Sequence, residues 1–195
     1  GFSYRTSRFK RADRRRYVVL SVAFRLRRAT GDEELRYGDL RRYFAERDIA
    51  RLDPAQVRDA VLAIRASKGM VVDAGDPDSR SCGSFFLNPV VTPACLGEME
   101  RMGRAAGVLA DDESIPCHMA GDGAKVSAAW LIERAGFCRG MRRGNIGLSG
   151  KHVLALINCG DATAAETIDF MSSIMARVRS LFGVTLEPEP VLAMF

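Results

Sequence analysis

Several things are scarce or missing in this 195-residue sequence, and each absence removes a class of function. No run of about 18 uncharged apolar residues occurs, so no membrane-spanning helix is expected. The basic head GFSYRTSRFKRADRRR is not followed by an apolar stretch ending in a small-residue cleavage site, so no secretory signal is expected. The five cysteines are odd in number, widely spaced and without a C-x-x-C pair. That argues against a zinc site or a disulfide framework, and for a reducing, cytoplasmic compartment in which four of the five are small buried hydrophobes. There is no phosphate-binding P-loop, no G-x-G-x-x-G after a strand and no G-x-S-x-G nucleophile turn. With two histidines, His118 and His152, a hydrolytic triad has few candidates. The adjacent pair Cys117-His118 is a poor dyad, because such pairs meet through space rather than along the chain. The sequence opens on Gly1 rather than Met, which reads as a fragment or a processed product.

The remaining composition is ordinary for a globular protein, with 47% hydrophobic and 27% charged residues. The length suits one domain or two small ones and is enough to bury a core. Net charge is +5, and only Lys10, Lys68, Lys125 and Lys151 are lysines, so arginine carries the cationic character. Part of it is concentrated in Arg5, Arg8, Lys10, Arg11, Arg14, Arg15 and Arg16. Such a block can grip phosphates, but a solvated loop or strand edge is the simpler reading. No nucleic-acid or membrane partner is expected.

Residues 17–26, YVVLSVAFRL, read as a buried strand. Tyr37-Gly38-Asp39-Leu40 opens a short helix. Asp53-Pro54-Ala55-Gln56 is a helix start that should run to Lys68-Gly69 with Val57, Val61 and Ile64 on one face. A Gly-, Asp- and Ser-rich loop follows, then SFFLNPVV as a strand leaving a tight turn at Gly83. Thr92-Pro93 caps a helix reaching about Gly107, and GVLADDESIPCHMAGDGAKV reads as loop. SAAWLIERAGF is a helix stopped at Gly136, and VLALIN is a buried strand. Thr163 and Glu166 form a capping box for a long helix with the stripe Ile168, Met171, Ile174, Met175, Val178 and Phe182, closed by Gly183. The tail VTLEPEPVL is extended. Strands separated by helices without a βαβ rhythm indicate an α+β fold.

Four local features exceed what packing asks for. They are the alternating Tyr4-Arg5-x-Ser7-x-Phe9-Lys10, the Tyr37-Gly38-Asp39-Leu40 turn, Gly83-Ser84-Phe85-Phe86-x-Asn88-Pro89, and the stiff Leu186-Glu187-Pro188-Glu189-Pro190. The set YRTSRFK, YGDL, IRASKGM, SCGSFFLNP, AAWLIERAGF, GLSGKHVLALIN and FGVTLEPEP, in that order, resembles the UDP-N-acetylenolpyruvoylglucosamine reductase (MurB) family. Two departures accompany the likeness: Cys82 stands where the family commonly has Ala, and Leu87 where a polar residue is common.

The resemblance implies an NADPH- and FAD-dependent reduction of an enolpyruvyl sugar nucleotide in peptidoglycan precursor synthesis. Hydride goes to C3 of the enolpyruvyl group and a proton to C2. It implies Ser84 as general acid, with Glu189 and Arg5 stabilising the charge that develops, and Tyr37, Lys68, Asn88 and, less directly, His118 as UDP-sugar contacts. It implies residues 1–72 as the C-terminal part of the flavin-binding region, 73–184 as the substrate-binding domain, and 185–195 as a tail returning to the active site. On that reading the N-terminal flavin-binding region lies outside this sequence and is a possible partner, so the FAD site here is incomplete. The alternative is an inactive UDP-sugar-binding fragment without flavin.

Overall fold

A computed structural model describes residues 7–28, 35–47, 49 and 53–192. It divides into two compact units, 1–35 and 36–195. Arg5 and Tyr4 lie outside the described residues.

In the first unit a 3₁₀ turn, Arg8–Lys10, leads into further turns to Arg16. The carboxylate of Asp13, 3% exposed, collects Arg8 and, at 3.3 Å, Nη1 of Arg16. Part of the basic block is thus neutralised locally by Asp13. Residues 17–28 follow without regular secondary structure and with no strand partner among the described residues, and they are exposed throughout. The expectation of a buried strand at 17–26 is corrected. An isolated extended segment has no ladder to satisfy its backbone and no second layer to cover its side chains.

The second unit is an α+β structure. Helix α1 (Gly38–Ala45) packs on α2 (Pro54–Ser67), whose N-terminus is closed by the foreseen capping box: Asp53 accepts from the amides of Ala55 and Gln56, and Gln56 accepts from that of Asp53. A four-stranded antiparallel sheet follows the order β1 (Ser81–Ser84), β7 (Ala155–Asn158), β6 (Ile146–Leu148), β5 (Arg142–Arg143). A second, three-stranded sheet runs β2 (Val90–Val91), β4 (Gly123–Val126), β3 (Cys117–Ala120). Helices α3 (Pro93–Ala105), α4 (Ala128–Arg134) and α5 (Ala164–Phe182) complete it.

The core joins Phe85, Phe86, Met99, Leu131, Ile132, Leu148, Leu156, Phe170, Ile174, Val178, Phe182 and Leu186. Helix α5 faces it along Phe170, Met171, Ile174, Val178 and Phe182, while Ile168 of the expected stripe is exposed. Gly183, at φ +70°, ends the helix in the left-handed conformation that glycine adopts without a Cβ penalty.

Three further expectations are corrected. The stretch read as loop through 107–126 contains the β3–β4 hairpin, turned by Gly121-Asp122 with Gly121 at φ +62°. Its strands CHMA and GAKV lack the β-branched, aromatic composition that marks a strand, so the turn and cross-strand pairing decide. Gly83 does not make a tight turn. At φ +82° it sits in a β-bulge, since Ser81 and Ser84 oppose Ile157 and Ala155, three steps against two. None of the cysteines is buried: Cys82, Cys117 and Cys138 are exposed, and Cys95 and Cys159 are intermediate. Of these thiols Cys95, on α3, packs against the core while remaining partly exposed.

Candidate functional site

The site grows from β1 and the tail. Beyond Ser84 the chain leaves the ladder with one more bond to the sheet, from the amide of Phe85 to the carbonyl of Leu154 at 2.7 Å. The next residues then take a new partner. The Leu87 amide donates to the carbonyl of Glu187 and the Glu189 amide to that of Phe85, both at 2.9 Å, around an antiparallel bridge of Phe86 with Pro188. Pro188 has no N–H, so it suits the bridge position that donates nothing. Fully buried Leu186 and Phe86 anchor the two sides.

Glu189 is therefore bonded through its backbone to the residue after Ser84, Phe85, although 104 positions separate the two in the chain. The side chains of this junction also sense one another. Although Cys82 is exposed as a residue, partial desolvation of its thiol pushes it above its ordinary value, and the negative charge of Glu189 pushes the same way. The bulge at Gly83 sets where Ser84 emerges. A Cβ on Gly83 would meet nothing within 4 Å, so conformation and not space requires glycine there.

Lys68 caps the C-terminus of α2, and its Nζ donates to Asp39 Oδ2 at 2.5 Å in the first turn of α1. This pairing holds the Asp39 carboxyl below its usual range. Tyr37, the exposed N-cap of α1, is two residues from that carboxylate. The sequence reading named Tyr37 and Lys68 but missed Asp39, which ties their two helices together.

It also missed His152 as part of this region. Burial lowers the imidazole pKa, and the nearby charge of Lys68 lowers it further. Its Nδ1 accepts from the Leu154 amide at 3.4 Å, and its carbonyl accepts from the Ala155 amide at 3.0 Å. Ala155 is the residue opposite Ser84. The turn Ser149–Leu154 thus connects the neighbourhood of Lys68 to the end of β1. Buried Ser149 holds it by accepting from the amides of Lys151 and His152. Lys151 is fixed to Asp76 at 2.7 Å, which raises its pKa, and Asp78 accepts from the Gly150 amide. The signal available in sequence was GLSGKH itself, a Ser-Gly turn entering a strand.

Asn88 lies four residues beyond Ser84. Its Oδ1 accepts from the amide of Ala128 at 2.9 Å, satisfying an orphan donor at the start of α4. That bond fixes the side chain and gives it a structural duty. His118 lies on the outer strand of the other sheet, exposed and opposite Lys125. Ser84, Glu189 and Cys82 therefore share one junction, and Lys68, Asp39 and Tyr37 form a second group linked to it through His152. Among the described residues no group of three His, Cys, Asp or Glu side chains could hold a metal, and no helix is long and apolar enough to cross a membrane. A cleft of about 600 Å³ between α3 and α5, lined by Met102, Met175 and Arg179, includes none of these site residues.

An α+β unit whose Pro-flanked tail closes on a Gly-Ser strand matches the family model described as UDP-N-acetylenolpyruvoylglucosamine reductase, C-terminal domain, over residues 76–193. Curated relatives carrying the name UDP-N-acetylenolpyruvoylglucosamine reductase extend the match over almost the whole chain. Those of Thermobifida fusca and Mycobacterium marinum are each 46% identical across 98% of this chain, and that of Saccharopolyspora erythraea is 44% identical across the same share. The chain belongs to the UDP-N-acetylenolpyruvoylglucosamine reductase family. It spans about half the length of these relatives, 53%, 51% and 52% respectively.

Proposed function

We propose that this chain supplies the proton-delivering and substrate-binding side of a UDP-N-acetylenolpyruvoylglucosamine reductase. The reaction is the NADPH-driven reduction of UDP-N-acetyl-3-O-(1-carboxyvinyl)-glucosamine to UDP-N-acetylmuramate, through FAD, in peptidoglycan precursor synthesis. The observation that carries the reading is the bond from the Glu189 amide to the Phe85 carbonyl, which draws the tail carboxylate to the strand end bearing Ser84.

The junction offers a hydroxyl, a carboxylate and a thiol. This donor set suits protonation beside a reacting carbon and does not suit a flavin pyrophosphate, which wants cations and clustered amides. Residues 1–72 are assigned to the flavin-binding region, whose larger part belongs to the length that the relatives have and this chain does not match. Bound flavin supplies the hydride that reaches C3.

Ser84 gives its hydroxyl proton to C2. A serine is a weak acid, so this works only against a strongly basic carbon in a site closed to water. Glu189 and Arg5 flank the developing charge, Arg5 through the planar fork that takes both oxygens of a carboxylate. Lys68, held by Asp39, presents a point charge to a phosphate, and Tyr37, Asn88 and His118 contact the sugar nucleotide.

A chimera joining this chain to the unmatched half of the Thermobifida fusca relative tests the roles. Ser84→Ala is expected to leave flavin reduction by NADPH near the parent rate and to slow reoxidation by the enolpyruvyl substrate about 10³-fold or more. Equal losses in both half-reactions would refute the acid role. A second reading, a UDP-sugar-binding fragment without flavin, is favoured by one observation: Tyr37, Lys68, Asn88 and His118 all fall within the single unit 36–195. It is supported if this chain alone binds the UDP-sugar in calorimetry and never acquires flavin absorbance.

A further inference from the structure

His152 stands at one end of a chain of bonds that reaches Ser84 and Glu189. Its half-buried imidazole accepts at Nδ1 from the Leu154 amide, 3.4 Å away. Leu154 in turn gives its carbonyl to the Phe85 amide at 2.7 Å, and the Phe85 carbonyl takes the Glu189 amide at 2.9 Å. The His152 carbonyl takes the Ala155 amide at 3.0 Å, and Ala155 is the cross-strand partner of Ser84. Leu154 and Ala155, the two residues that hold the end of β1, are thus each tied to His152, one through its ring and one through its carbonyl. Leu154 and Phe85 are both buried, so water does not readily replace a partner lost here.

Only one form of the ring can do this. A nitrogen that accepts carries no hydrogen, so the neutral ring keeps its proton on Nε2. An imidazolium has a hydrogen on both nitrogens, and its Nδ1–H would face the Leu154 N–H, donor against donor. The surroundings keep the ring neutral. Burial is the main cause; Lys68, at the end of α2, and Arg139, in the turn after α4, disfavour a further positive charge. Glu133, on α4, acts the other way, but its carboxylate is paired with Arg139 at 3.4 Å. Lys151, the preceding residue, is committed to Asp76. The ring therefore titrates below its ordinary 6.5.

From these bonds we infer that His152 is a positioning residue for Ser84. Its unprotonated Nδ1 holds Leu154, Leu154 holds Phe85, and the hydroxyl beside Phe85 is thereby kept in line with the carbon it protonates. A proton on Nδ1 releases the Leu154 amide and loosens the strand end, so that Ser84 stays in place along the chain but loses its aim. The imidazole gives no proton to the substrate in this role. The inference rests on the acid role of Ser84 proposed above, whereas the hold of His152 on the strand end does not.

Two measurements separate the hold from the reaction. The first, on this chain alone, is hydrogen exchange at the Leu154 and Phe85 amides, corrected for the intrinsic effect of pH and referred to the amides of α5. From about pH 7.5 to about pH 5 both are expected to lose about tenfold or more in protection. In His152→Asn the side-chain oxygen accepts from the same amide without titrating, so protection is expected to persist. The second uses the chimera with the unmatched half of the Thermobifida fusca relative, with flavin reduction by NADPH as the reference. Its reoxidation by the enolpyruvyl substrate is expected to slow about tenfold over the same range. His152→Leu, which has no acceptor, should be as slow at the upper pH as the parent is at the lower. His152→Asn should recover most of that loss and abolish the pH dependence. Exchange at Leu154 and Phe85 that ignores pH would overturn the inference, and so would a pH dependence of reoxidation that survives in His152→Asn. If exchange behaves as expected while Ser84→Ala leaves reoxidation untouched, the acid role falls and the positioning role with it, and only the hold on the strand end stands.

Discussion

Two segments of this chain, both expected from the sequence to be extended, have opposite fates. The tail, Leu186–Pro190, has two prolines and only one large apolar residue, yet it is locked to residues 85–87 by two backbone bonds, with Leu186 wholly buried. The head segment, Tyr17–Leu26, has far more β-forming sequence and lies open to solvent. Intrinsic preference does not decide which becomes structure. A strand needs a partner edge and a second layer, and the tail finds both in the segment leaving β1. The same pairing carries Glu189 to Ser84, so the candidate site is a consequence of how the tail is fastened.

The sharpest way to break the comparison is to unfasten the tail. Phe86→Ala removes a buried ring under the bridge and is expected to cost about 3–5 kcal/mol, and Leu186→Ala about 2–5 kcal/mol, read as shifts of the urea midpoint. Substitution of Leu20 by Ala, on the exposed segment of this chain alone, should stay within about 0.5 kcal/mol. If the head proved as costly as the tail, the contrast would be false.

Next is Gly83→Ala. The space is open but the positive φ penalises any Cβ, so a loss of about 1–2 kcal/mol is expected by the same measurement. A neutral result would mean that the bulge does not dictate the conformation before Ser84.

A smaller effect concerns His152. Its pKa is lowered in the fold, chiefly by burial, so the neutral ring is the folded form. The stability it contributes is present above the unfolded value of about 6.5 and is lost as pH falls through the lower folded value. The urea midpoint should therefore decline as pH falls below 6.5, and His152→Gln should flatten that decline. An unchanged slope would mean that burial does not depress the pKa of His152.

The smallest expected effect is on Cys82. Glu189→Gln removes a negative charge that raises the thiol pKa, so the pH midpoint of Cys82 alkylation by iodoacetamide should move down. An unmoved midpoint would separate the carboxylate from β1.

How far the sequence discloses all this depends on how local the cause is. Helix starts at Asp53, Thr92, Ser127 and Thr163 were readable because a side chain caps amides two or three residues away. Strand β7 was readable from a short apolar run. The β3–β4 hairpin was not, because its strands are neither branched nor aromatic and its stability comes from pairing. At the site, Ser84 and Glu189 were nameable from motif likeness, but their junction depends on bonds between residues more than 100 positions apart. Asp39 and His152 were missed for the same reason, since their significance lies in Lys68 and in Ala155, and neither relation has a period. For Asn88, named from motif likeness as a substrate contact, the structure shows a bond to the start of α4, a structural duty no spacing announces.

Hydrogen exchange at two amides is the most direct measurement. Leu87 and Glu189 are the donors that fasten the tail, so both should be strongly protected in this chain, and both should lose protection together in Leu186→Ala. A Glu189 amide exchanging at the rate of a free peptide in the folded parent chain would contradict the account, because nothing would then fasten the tail to the strand end that carries Ser84.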